Sequence, residues 1–347
     1  MPEKMQAVLK VERAAGAEIR EVDVPAIGPR DILVKVKATS ICGTDVHIYD
    51  WDPWAQSRIV PPLIFGHEFC GEVVEVGAEV GEPAPGAFIS AESHIVDNNC
   101  YQCRTGQKHV CRNMVIIGVD RPGSFAEYIA IPAENAWVNP SDLPPEIATL
   151  EEPFGNAVHT ALAHSLASKT VLVTGCGPIG LMAIAVARAS GATAVYATEV
   201  NPYRLALAEK MGATLAFNPR EVDAVEEIMK VTRGEGVDVL LEMSGHPAAI
   251  EQGFTLLKNG GRVAMLGLPS KPLEFDFANH VIFKGATVYG VTGRRIHETW
   301  YQMTKLLTGG AVDLAPLVTH RFPLDQFEQA MAVIHCGQSG KVVLFPP

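Results

Sequence analysis

From Lys169 onward the chain alternates short apolar runs with stretches whose apolar residues recur every three or four positions. The runs predict strands at Val171–Thr174, Ala194–Thr198, Val237–Glu242, Arg262–Gly267 and Thr287–Val291. Helical periods fall between them, as at Ile179–Ala189 and Tyr203–Met211. Strands alternating with helices are the pattern of a parallel sheet with helices on its faces. The first 150 or so residues read differently. The run from Asp31 to Lys37 alternates apolar and charged positions over Val34 to Lys37, as a half-buried strand does. Gly and Pro break the stretch at Val60-Pro61-Pro62 and Gly81-Glu82-Pro83-Ala84-Pro85-Gly86. An irregular, mostly antiparallel β domain is expected there. The texture changes near Glu152-Pro153-Phe154-Gly155-Asn156, and the C-terminal part ends in a predicted strand, Lys341–Phe345, expected to pack back onto the first domain.

A length of 347 residues fits two domains, and 48% hydrophobic with 19% charged residues is a globular composition. The net charge of −11 argues against non-specific nucleic-acid binding. The opening residues, MPEKMQAVLKVERAAG, lack the apolar core of a signal peptide. The longest apolar stretch, Ile179 to Ala187, stops at Arg188 and is too short to span a membrane. A cytoplasmic location with no membrane or nucleic-acid partner is therefore expected. In that compartment the seven cysteines stay reduced, and clustered ones read as metal ligands before disulfides.

Gly175-Cys176-Gly177-Pro178-Ile179-Gly180 fits the pattern G-x-G-x-x-G between a predicted strand and a predicted helix. The first glycine permits a tight turn, the second lets the backbone approach a pyrophosphate, and the third lets helix pack on strand. Glu199 stands 19 residues beyond Gly180, where an acid accepts ribose hydroxyls and repels a 2′-phosphate. That favours NAD over NADP. Arg204, five residues later, pulls the other way, since an arginine can accommodate a phosphate.

Cys42, His67 and Glu68 offer a thiolate, an imidazole and a carboxylate, a set suited to a zinc that keeps one position open for chemistry. Adjacent strand residues point to opposite faces, so His67 and Glu68 share a metal only at an irregular bend. Otherwise one ligates directly and the other acts part of the time or through a neighbour. Glu152 is a further acid for the same site. Thr44 and His47 suit a proton relay from a metal-held alcohol to solvent. Separately, Cys100-x2-Cys103-x7-Cys111 supplies three thiolates, and Asp97 could complete a closed structural tetrahedron. The alternatives are a weakened or an empty site. Cys70, Cys176 and Cys336 read as packing residues.

Together these residues resemble the zinc-containing medium-chain alcohol dehydrogenases. The markers are Ser40-Ile41-Cys42-Gly43-Thr44-Asp45-Val46-His47-Ile48-Tyr49, Glu152-Pro153-Phe154-Gly155-Asn156-Ala157-Val158-His159-Thr160, and Gly293-Arg294-Arg295 before Glu298-Thr299-Trp300-Tyr301. The resemblance implies an α/β protein: a mostly β, GroES-like catalytic domain from residues 1–155 and 296–347 around a doubly wound Rossmann domain over 156–295. It implies a homotetramer, Cys42, His67 and Glu68 as catalytic zinc ligands, Thr44 and His47 as the relay, and Glu152 as an acid supporting catalysis. It also implies NAD contacts at Ile179, Glu199, Arg204, Leu266-Gly267-Leu268 and Val291-Thr292. The chain departs from the family at Asp97, where the first of four cysteines usually stands. The implied reaction is oxidation of the secondary alcohol of L-threonine by NAD+. Apart from the resemblance, Arg294 is a candidate for the substrate carboxylate, the alternative being an ordinary surface arginine. The rivals are a zinc dehydrogenase of polyols or simple secondary alcohols, and a metal-free NAD-binding sensor.

Overall fold

The computed structural model describes residues 2–347, and the chain forms two compact units. One comprises the residues up to Glu152 together with Val318–Pro347, and the other is Pro153–Leu317. Residues 153–155 and 296–317 thus group with the second unit, unlike the boundaries inferred from family resemblance. The helix Glu298–Thr308 buries Trp300 and Met303, and the turn Ala315–Leu317 packs on the helix Pro202–Lys210.

The first unit is organised around Asp31–Ser40, a ten-residue strand buried along most of its length. On one side it pairs antiparallel with Glu68–Val76. On the other it pairs with Tyr128–Pro132 along its first half and with Lys341–Phe345 at its end. The register sets Ser40 opposite Glu68 on one neighbour and opposite Val343 on the other. Segments almost three hundred residues apart in sequence therefore meet at the end of one strand. Lys341–Phe345 in turn runs parallel to Val318–Pro323. The apolar core beneath includes Ile41, Ile48, Phe65, Phe125 and Phe327. Phe65 meets the rings of Phe125 and Phe327 edge-on, with centroids 5.1 and 5.6 Å away. Ile41 and Phe65 stand just ahead of Cys42 and of Gly66-His67, so core packing fixes both segments.

The second unit is a six-stranded parallel sheet. Its order is Leu215–Phe217, Ala194–Thr198, Thr170–Thr174, Val237–Glu242, Leu257–Met265, Thr287–Gly290. By sequence the strands run 3-2-1-4-5-6, the doubly wound arrangement whose ligand crevice opens where the order reverses. That point lies beyond Thr174 and Glu242. Helices Pro178–Ala189, Pro202–Lys210 and Pro247–Leu256 each begin with proline, whose fixed φ and missing N–H suit a first helical position. Leu215–Phe217 is a short strand not anticipated from the pattern. The strand expected at Arg262–Gly267 instead runs Leu257–Met265: Leu257 pairs with Val237, Lys258-Asn259-Gly260-Gly261 bulge out of register, and pairing resumes at Arg262 opposite Val239.

Candidate active site and metal centres

Cys42 caps the helix Gly43–Asp50, and its backbone N–H donates to Asp45 Oδ2 at 2.8 Å. Gly66 has φ +91°, and a Cβ there would strike the Phe125 ring at 2.5 Å. Only glycine fits, and the turn it makes sets His67 just ahead of the strand that starts at Glu68. This is the irregular bend that lets neighbouring residues face one point. One ligand atom each from Cys42, His67 and Glu68 lies within 4.8 Å of the others.

The surroundings fit a cation. His67 Nδ1, Asp45 Oδ1 and Glu68 Oε1 are buried and have no hydrogen-bond partner. Nδ1 lies 3.6 Å from Asp45 Oδ1, the direction from which a carboxylate orients a metal-binding imidazole. Burial works against the charged ring, but Asp45, Cys42 and Glu152 outweigh it and raise the His67 pKa well above its ordinary value. Burial also pushes Asp45 up to about 6, with His67 opposing. The acids that face the ring, Asp45 and Glu152, also favour a divalent cation in place of that proton.

Glu68 is held from several sides. Ser40 Oγ and Lys341 Nζ both donate to Oε2, while Thr39 Oγ1 (2.9 Å) and Thr149 Oγ1 (2.7 Å) donate to its backbone carbonyl. Glu152 is buried, accepts from Ser93 Oγ at 2.5 Å and stands outside the three-residue cluster. Thr44 and His47 lie three apart, on one face of the helix. His47 is exposed, with Nδ1 2.7 Å from Asp52 Oδ2. Sequence reasoning missed Asp45, Ser40, Ser93 and Lys341. Only Asp45, three residues from Cys42, carried a local signal.

The second cluster is a surface loop. Ligand atoms of Asp97, Cys100, Cys103 and Cys111 lie within 4.8 Å of one another. Cys100 Sγ and Cys111 Sγ are 3.8 Å apart. A tetrahedron with zinc–sulfur bonds of about 2.3 Å has an edge of about 3.8 Å, so the thiols are already spaced for the ion. Asp97 Oδ1 accepts from the N–H groups of Asn99 (2.9 Å) and Cys100 (3.0 Å), and Oδ2 accepts from Asn113 Nδ2 (2.5 Å). These bonds hold its pKa below the usual carboxylate range. Burial pushes Cys103 up to about 12, whereas backbone N–H donation, chiefly from Cys103, lowers Cys100. Of the remaining cysteines, Cys70 and Cys176 are buried, but Cys336 is exposed, which corrects its reading as a packing residue. It follows the helix Phe327–His335 as its cap, facing outward.

In the second unit Gly175 has φ +86°, and a Cβ at Gly180 would lie 2.1 Å from the Gly175 carbonyl oxygen. Nothing lies within 4 Å of a Cβ built on Gly177, at the cap of the helix that begins with Pro178 and Ile179. Two glycines are needed by the fold, while the middle one leaves open space where a helix N-terminus meets an anion. Glu199 accepts from Cys176 N–H (2.7 Å) and Asn201 N–H (2.8 Å). It lines a cavity of about 410 Å³ with Gly175, Arg220, Ser244, His246 and Gln252. Arg220, Ser244, His246 and Gln252 carried no motif and were missed. Arg204 sits on the next helix, its Nε buried without a partner. Leu266 and Gly267 follow the fifth strand and donate to the Glu242 carbonyl, and Leu268 is exposed. Val291 and Thr292 follow the sixth strand, beyond its end at Gly290. Arg294 is buried over Gly155 and donates to Asn156 Oδ1 at 3.2 Å.

An alcohol dehydrogenase GroES-like domain model matches residues 28–141, and a zinc-binding dehydrogenase model matches residues 178–309. The chain is 53% identical over 347 residues to the L-threonine 3-dehydrogenase of Symbiobacterium thermophilum, covering 100% of this chain and 99% of that one. It is 53% identical over 344 residues to the L-threonine 3-dehydrogenase of Pyrococcus abyssi, covering 99% of each. Among solved structures, a zinc-binding dehydrogenase of Sinorhizobium meliloti bound to NADP aligns with a TM-score of 0.91 at 33% identity, over 99% of this chain and 100% of that one. The 2R,3R-butanediol dehydrogenase of Bacillus subtilis aligns with a TM-score of 0.89 at 30% identity, over the same shares. With this likeness along its whole length, the chain belongs to the zinc-containing medium-chain alcohol dehydrogenase family.

Proposed function

We propose that this chain oxidises L-threonine at its secondary alcohol with NAD+, giving L-2-amino-3-oxobutanoate, NADH and a proton. The observation that carries the reading is full-length identity of 53% to an L-threonine 3-dehydrogenase, in a chain that gathers Cys42, His67 and Glu68 at one point. Cys42, His67 and Glu68 would hold the catalytic zinc, and Asp97, Cys100, Cys103 and Cys111 a structural one. Bound in the first set, the metal supplies a Lewis acid for an alcohol oxygen.

The chain's own residues do the rest. Asp45 orients the His67 ring. Thr44 Oγ1 takes the substrate hydroxyl proton, and His47, held by Asp52 and open to water, passes it to solvent. Glu152, fixed by Ser93, adds negative charge that favours the positive site. In the other unit Gly175, Gly177 and Gly180 shape the pyrophosphate turn, and Pro178 and Ile179 open its helix. Glu199 offers its remaining lone pairs to ribose hydroxyls, which supports NAD over NADP. Leu266, Gly267, Leu268, Val291 and Thr292 present backbone at strand ends, and Arg204 flanks the ribose site.

A homotetramer in the cytoplasm is part of the proposal. The edge strand Thr287–Gly290 leaves Val288 exposed, and Phe277, Ile282 and Phe283 are exposed on the segment ahead of it, which supports burial against a second copy. The likeness to a butanediol dehydrogenase favours a second reading, a simple diol as substrate. Initial rates with L-threonine, butane-2,3-diol and sorbitol, each with NAD+ and NADP+, decide between them. L-threonine with NAD+ should give the highest kcat/KM, and a higher value for the diol would replace this reading with the second.

A further inference from the structure

Lys341 is among the most deeply buried cations in the molecule, 2% exposed. It donates to the Ile41 carbonyl at 3.0 Å, beside Cys42, and to Glu68 Oε2. Ser40 Oγ donates to the same oxygen. Glu68 Oε1, by contrast, is buried with no partner. One carboxylate oxygen is doubly held and the other is left bare on the side where Cys42 and His67 gather.

We propose that Lys341 is a positioning residue for the catalytic metal: it ties down Glu68 Oε2 so that the carboxylate offers the metal only Oε1. This rests on the zinc reading above. Two consequences follow from charge and geometry. A buried ammonium offsets one of the two ligand anions, so an ion held by Cys42 and Glu68 keeps more of its electrophilic character. A carboxylate with one oxygen engaged also binds through a single atom, which leaves a coordination position for the substrate. Without Lys341 only Ser40 Oγ still holds Oε2, so the carboxylate binds more readily through both oxygens, raising the coordination number and tightening the metal while weakening its pull on an alcohol.

The test uses the full-length protein loaded with cobalt(II), whose visible absorption is intense in four-coordinate sites and weak in higher coordination. Subtracting the spectrum of the Cys42→Ser protein removes the contribution of the surface cluster. Because a positive charge beside the metal is gone, Lys341→Met should slow metal loss to a chelator roughly tenfold, lower the visible absorption, and lower kcat with little change in KM, whereas Lys341→Arg should restore the native spectrum. An unchanged spectrum, or faster metal loss at unchanged intensity, would overturn the proposal. Should Lys341→Met fail to fold, Ser40→Ala removes only the second donor. It should shift the spectrum the same way by less, and no shift there would also overturn the proposal. Failure of the underlying zinc reading looks different: the native protein and Cys42→Ser would then bind equal amounts of cobalt.

Discussion

The two metal clusters are made from similar donors and built in opposite ways. Asp97, Cys100, Cys103 and Cys111 fall within one short loop, held by backbone N–H bonds to Asp97 and by little apolar packing. Cys42, His67 and Glu68 are brought together by a helix cap, a glycine bend and a strand end, over a phenylalanine core, and they draw on Lys341. The first cluster is local and partly exposed, so an ion bound there would add stability to a loop that has little packing of its own. The second is a product of the fold, shaped before any ion arrives. On the proposed reading, similar ligands serve stability in one place and chemistry in the other.

Breaking each cluster should separate those roles. Cys42→Ser should lower kcat/KM for the alcohol by at least about a thousandfold, with the melting temperature nearly unchanged. Rates and a thermal melt on one preparation check both halves. Cys103→Ser should do the reverse. It should cost about 3 kcal/mol of stability, speed proteolysis within residues 97–113 and leave the rate at low temperature mostly intact. Limited digestion with sequencing of the fragments locates the opening.

A third buried acid sharpens the contrast. Glu68 has a cation, whereas Glu151 has only the neutral Ser90 and Asn139, and one of its oxygens is unpartnered. Burial raises its pKa from 4.5 to about 7. The folded state therefore binds the extra proton between those values. The stabilisation is complete below pH 4.5 and is lost as pH rises through 7. Glu151→Gln should match the parent near pH 4.5 and exceed it above pH 7 by up to about 3 kcal/mol, read from denaturant melts across pH. The smallest effect concerns the surface loop's departure from four cysteines. Asp97→Cys should slow zinc loss to a chelator by about tenfold, with no change in catalytic rate, since a thiolate is the softer donor.

How much of this could be read beforehand depended on distance along the chain. The turn Gly175–Gly180 and the spacing of Cys100, Cys103 and Cys111 were legible because each device is complete within a few residues. The parallel sheet followed from strand–helix alternation and its doubly wound form from the family resemblance, but Leu215–Phe217 was too short and half-exposed to leave a pattern. Ser40 and Lys341 were not legible. Their meaning comes from strand register, and a lysine near a terminal strand reads as an ordinary surface charge until the sheet buries it. The grouping of residues 296–317 with the second unit was hidden for the same reason: burial of Trp300 is decided by tertiary packing.

The interleaving of the first unit with both flanks of the second also bears on how the protein is made. Pro153–Leu317 is continuous and can fold as soon as it leaves the ribosome. The unit that houses Cys42 and Glu68 must wait for the strand at Lys341, translated 273 residues after Glu68. Until then the nascent chain holds a carboxylate without its cation, so the Glu68 side of the cluster is completed only after Lys341 has been made.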